Sequence, residues 1–114
     1  MGDSLIQQKT FEFALAVVRL YRKLQARQEF MLSPQLLRSG TSIGVKVEQA
    51  SAERDHRSFL AKLSAASDDA RETQYWLRLL KEAKLTDIDL APELNQINEI
   101  IQLLNNLTDA NWGK

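Results

Sequence analysis

The chain contains no cysteine, which excludes disulfides, thiolate metal sites and cysteine nucleophiles together. Two prolines and four glycines in 114 residues are too few turn formers for a loop-rich or all-β protein. There is one histidine, His56, so multi-histidine metal centres are ruled out. No apolar run approaches the roughly 20 residues that span a bilayer; near the start the longest is Ala14 to Val18. Met1 to Thr10 lacks the basic and then apolar regions of a secretory leader, and Ile6 stands where a myristoylation signal needs Ser or Thr. Gly-rich phosphate loops and dinucleotide fingerprints are missing as well. These absences lead us to expect a cytoplasmic protein with no membrane partner, no cofactor and no metal.

Net charge is also zero, with fifteen residues of each sign, but it is unevenly spread. Residues 1–46 hold seven basic and three acidic side chains, a net of +4, and residues 47–114 hold eight and twelve, a net of −4. A nucleic-acid footprint is therefore absent as a global feature and conceivable only as a local one.

What is present is helical periodicity. Phe59, Leu63, Ala66, Ala70, Thr73, Leu77 and Leu80 recur at alternating steps of four and three, the apolar stripe of a long amphipathic helix. Trp76, Leu79 and Ala83 widen that arc beyond one seam. Before it, a first helix capped by Asp3 or Ser4 places Ala14, Val17, Val18, Tyr21 and Leu24 on one face, with Phe11 and Leu15 beside it. Its other face carries Lys9, Arg19, Arg22, Lys23 and Arg27, three of them in the last turns where the helix dipole favours cations. Ser33–Pro34 reads as N-cap and first residue of a second helix, with Leu36, Leu37, Ile43, Val47 and Ala50 inward. Gly40 and Gly44, one turn apart, imply close packing against a neighbour, since each costs about 1 kcal/mol of helix propensity. A fourth helix presents Leu94, Ile97, Ile100, Ile101, Leu104 and Leu107, and Asn105, Asn106 and Thr108 to Lys114 read as a fraying tail. The spacing predicts helices near 4–27, 34–52, 57–84 and 91–108 in one domain over 1–114. Short polar turns between them predict an all-α, antiparallel up-down-up-down four-helix bundle.

Few residues carry recognisable chemistry. Glu53-Arg-Asp-His56 has the Glu-x-x-His spacing of di-iron bundles, but that site needs two such pairs and this copy falls in a turn. Lys46 lies four residues after Ser42, the spacing of a Ser-Lys dyad, and with the third-helix carboxylates it defines the alternative reading, a small hydrolase or nucleotide-binding enzyme. Arg38, Glu48, Asp69, Arg71 and Glu72 sit close to apolar faces and are expected to pair as a structural network between the second and third helices. Tyr75 and Trp76 could stack on a base, though aromatics at helical spacing belong to cores and interfaces more often.

Three segments resemble a known family. Lys9-Thr-Phe-Glu-Phe-Ala14, Gln35-Leu-Leu-Arg-Ser-Gly-Thr-Ser-Ile-Gly44 and Ala70-Arg-Glu-Thr-Gln-Tyr-Trp-Leu-Arg-Leu-Leu80 are similar to the bacterial four-helix bundle proteins of the 23S rRNA intervening-sequence type. The chain departs from that pattern at Val45–Lys46, where the family has Ala-Asn, and at Asp68–Asp69, where it has Lys-Glu. The resemblance implies a ring-shaped homopentamer with no established enzymatic activity. A related branch binds a reverse transcriptase and nucleic acid through a basic surface. A non-catalytic assembly module acting through protein partners, RNA among the candidates, is therefore expected. Its candidate partner- or nucleic-acid-binding residues are Lys9, Arg19, Arg22, Lys23, Arg27 and Lys46. The apolar surplus of the third and fourth helices makes Trp76, Leu79, Ile100 and Leu103 the candidate oligomer interface, with the cationic first helix meeting the acid-rich fourth helix of the next subunit.

Overall fold

Four helices form where the periodicity places them: α1 (Gly2–Ala26), α2 (Ser33–Ser51), α3 (His56–Glu82) and α4 (Ala91–Trp112). The computed structural model describes the backbone of residues 2–112 and the side chains of residues 5–109, with no strand among them. The links are residues 27–32, 52–55 and 83–90. The shortest helix, the 19-residue α2, is about 28 Å long at 1.5 Å per residue, too far for the links on either side of it to run back along. Successive helices therefore point in opposite directions. Pairing confirms it: Arg38, Ser42 and Gln49 of α2 meet Glu72, Asp69 and Lys62 of α3 in reverse order. Each helix packs on two neighbours, α1 on α2 and α4, α3 on α2 and α4, and the backbones of the diagonal pairs stay apart. The result is an antiparallel up-down-up-down bundle, a rod of 46 × 21 × 20 Å.

One core runs its length, with Phe13, Val17, Leu24, Leu36, Ile43, Val47, Leu77, Leu80, Ile97 and Leu104 fully buried. The long α3 stripe is buried from Leu63 to Leu80, and Phe59 packs half-buried at its start. Gly40 earns its place: a Cβ there would lie 2.9 Å from Val17 Cγ2, inside van der Waals contact. Gly44 is less constrained, since a Cβ would meet only the Thr10 backbone oxygen at 3.6 Å.

The helix ends depart from expectation in three places. α1 starts at Gly2, ahead of Asp3 and Ser4. Ser33 is the first helical residue of α2 rather than its cap, and Leu32 at the cap position offers no side-chain bond. The capping is done by Glu29, whose carboxylate accepts the backbone N–H groups of Met31, Leu32 and Ser33 at 2.8–3.3 Å. An anion at a helix N-terminus satisfies orphan donors and complements the dipole. Lastly, α4 does not fray at 108 but continues to Trp112. Thr108 Oγ1 donates to the carbonyl oxygen of Leu104 at 3.0 Å, so the polar side chains of Asn106 and its neighbours mark the outer side of a helix rather than its end. The remainder of the expected tail, residues 113–114, lies outside the described residues.

α1 and α3 end in the same way. Gln28 (φ 64°) and Lys84 (φ 56°) take the left-handed conformation. The next residues, Glu29 and Leu85, donate back to Leu24 and Leu80 at 2.8 and 3.0 Å. This is the Schellman arrangement, built here without the glycine that usually serves it.

Candidate partner-binding surfaces

Along the α2–α3 seam, the charges expected to form one network separate into independent contacts. Arg38 pairs with Glu72, which also accepts Trp76 Nε1 at 2.9 Å. Asp69 Oδ2 accepts both Ser42 Oγ at 2.7 Å and Lys46 Nζ at 2.6 Å. Below them Thr73 Oγ1 donates to Ser39 Oγ at 2.9 Å, fully buried. Glu48 instead turns to α1, accepting Gln7 Nε2, and Arg71 reaches Asn105 of α4. The reason is angular: residues at one helical level point to different neighbours once each helix has two. Lys46, expected among the partner-binding cations, is thus held by Asp69. The same geometry bears on the dyad: Ser42 and Lys46 donate to one carboxylate oxygen, so the hydroxyl proton is directed at Asp69 and not at the lysine nitrogen. His56 opens α3 with its ring stacked on Phe59, and no group of three or more metal-ligating side chains exists among the described residues.

The α1 cations divide likewise. Lys9 pairs with Glu99 of α4 at 3.2 Å, and Arg27 with Asp87 in the link between α3 and α4. Because α1 and α4 are neighbours within one chain, part of the charge complementarity expected between subunits is satisfied internally. Arg19, Arg22 and Lys23 have no ion-pair partner among the described residues and, with Ala26, line an open groove of about 420 Å³.

Exposed apolar surface lies elsewhere than expected. Ile100 is 1% exposed and belongs to the subunit core, so it is not surface at all. Trp76 and Leu103 pack half-buried against that core; Leu79, also half-buried, lines a shallow groove with Tyr75, Arg78 and Glu82. α1 carries one exposed stripe, Phe11 at 63%, Leu15 at 39% and Val18 at 41%, while Val45 of α2 and Tyr75 of α3 are exposed singly. α1 buries Ile6, Thr10, Phe13, Val17, Leu20 and Leu24 instead, a face that is as regular at helical spacing as the one expected. Two further apolar side chains, Phe30 and Met31, project from the link between α1 and α2. Nothing in the periodicity marked them. No helix of the described residues is long and apolar enough to cross a membrane.

The model of the 23S rRNA-intervening sequence protein family matches residues 2–106. Among solved structures, a protein of unknown function from the S23 ribosomal protein family of Bacteroides thetaiotaomicron VPI-5482 is similar at 37% identity and a TM-score of 0.90, over 96% of this chain and 99% of that one. None of the curated proteins matches the chain.

Proposed function

The chain belongs to the 23S rRNA-intervening sequence protein family, and on that premise we propose that it is a non-catalytic module that assembles with copies of itself and acts through partners. The observation that carries this reading is the α1 stripe of Phe11, Leu15 and Val18, three neighbouring apolar side chains left in solvent on a helix whose other face is fully packed. Contiguous apolar surface of this kind marks interaction sites. Five subunits is the number that the family resemblance implies. Light scattering on a sizing column should give a mass near five times the 13.0 kDa chain. A monomer at micromolar concentration would defeat the reading.

RNA enters as a partner through Arg19, Arg22 and Lys23, which have no ion-pair partner among the described residues. Contacts from three cations to phosphates should give a log–log salt slope of about −2 to −3. Filter retention of single-stranded or structured RNA that does not respond to salt, or no retention, would remove this arm while leaving self-assembly standing.

A further inference from the structure

α1 and α3 occupy diagonal corners of the bundle, so their outer faces look in opposite directions. Both faces carry apolar groups in water. On α1 these are Phe11, Leu15 and Val18. On α3, Tyr75 is 54% exposed beside the half-buried Leu79, and with Arg78 and Glu82 they line a groove of about 230 Å³. A second copy of the chain, set side by side with the first, brings one face onto the other.

Height along the rod decides which residues meet. Val17 abuts Gly40, and the neighbouring Ser39 bonds Thr73, so Val17 and Thr73 stand level. α1 and α3 run in the same direction, and counting on from that pair puts Arg19 level with Tyr75. Counting back puts Glu12 less than one turn from Arg71. Both of the latter lie towards α4: Glu12 lines a small pocket with Gln96 and Glu99, and Arg71 donates to Asn105. Both are exposed, and neither has an ion-pair partner among the described residues. A copy rotated about an axis along the rod keeps every height and keeps α4 on the same side. Glu12 of one copy then meets Arg71 of the next, and the Arg19 guanidinium meets the open ring of Tyr75.

We propose that the outer face of α1 docks on the outer face of α3 of a second copy, with Leu15 and Val18 against Tyr75 and Leu79. The proposal rests on the self-assembly reading above and names the surface that receives α1. The other charges of the α3 face, Asp68, Glu72, Arg78 and Glu82, nearly cancel, and Glu72 is already held by Arg38 and Trp76. Position, not net charge, therefore selects the contact. It is heterologous, each copy giving one face and receiving with the other, so it closes into a ring or runs on as a filament. Pairing α1 with α1 would leave Tyr75 and its groove in water. Arg19 is engaged between copies, which leaves Arg22 and Lys23, further along α1, to the RNA arm.

Light scattering on the full chain and two double variants is the test. Phe11→Asp with Val18→Asp disables the α1 face, and Arg71→Glu with Tyr75→Asp disables the α3 face. All four side chains are exposed, so each variant should keep the wild-type circular dichroism spectrum and run as one 13.0 kDa chain. Mixed in equal amounts, the two should form a complex of two chains and stop there, because only one intact pair of faces remains. A charge exchange gives a second readout. Glu12→Arg alone should weaken assembly on dilution by about tenfold or more, and adding Arg71→Glu should restore it. An α3 variant that assembles like the wild type, a mixture without the two-chain complex, or a failed rescue would overturn this contact and leave self-assembly standing. A monomeric wild type would overturn both.

Discussion

Single residues set the local stability of this bundle in ways that helix propensity alone misorders. Gly40→Ala and Gly44→Ala each add the same methyl group to α2. At 44 the added Cβ meets only an ordinary contact of 3.6 Å, so the full propensity gain of about 1 kcal/mol should appear in urea unfolding. At 40 it would press at 2.9 Å on Val17, which is fully buried and has no free volume to turn into; overpacking should cost about 1–3 kcal/mol and reverse the sign. Equal effects at the two sites would refute the close approach of α1 and α2. At Lys84 and Gln28 the left-handed backbone carries a Cβ penalty, and glycine at either position should raise stability by about 0.5–1 kcal/mol. Glu29→Ala acts the other way. It strips a buried carboxylate from three backbone donors, and a loss of about 1–3 kcal/mol is expected in the same measurement.

Between elements, the α2–α3 seam is held by polar contacts of unequal weight. Asp69 is 8% exposed and accepts from two donors, whereas the Lys46 side chain is a third exposed. Asp69→Ala should therefore cost about 1–3 kcal/mol by stranding Ser42 and Lys46, while Lys46→Asn should cost less than about 1 kcal/mol because water replaces the lost pairing. Lys46 Nζ and Asp69 Oδ2 meet at 2.6 Å, a cation on α2 beside an acid on α3. The periodicity of α2 and α3 was legible in the sequence because each has one dominant apolar face. The partners of individual charges were not, because a charge near the edge of such a face can turn to either of two neighbouring helices.

For the whole molecule, the location of the surplus apolar surface governs what assembly can use. Phe11→Asp with Val18→Asp should leave helix content unchanged, since neither side chain is in the core, yet reduce the mass seen by light scattering to that of one 13.0 kDa chain. Trp76→Asp should instead destabilise the subunit, because Trp76 packs against the core and donates to Glu72 at 2.9 Å. If Trp76→Asp dissociates the assembly while the subunit stays folded, and the α1 variant does not, the contact surface belongs on α3.

The sequence by itself determined the four helices, where three of them turn their apolar faces, and, through three short segments, the family. Those features follow from local spacing, which backbone geometry converts directly into a helix and a face. α1 was different. Its sequence carries two regular apolar stripes, one through Phe13, Val17 and Leu20 and one through Phe11, Leu15 and Val18, and spacing cannot rank them. The tertiary structure decided: Gly40 of α2 admits Val17, Lys9 reaches Glu99 of α4, and with α1 fixed between those neighbours only one stripe can enter the core. The same packing joined the links at one end and left Phe30 and Met31 outside, because burial belongs to the set of neighbours a residue acquires and not to the residue alone.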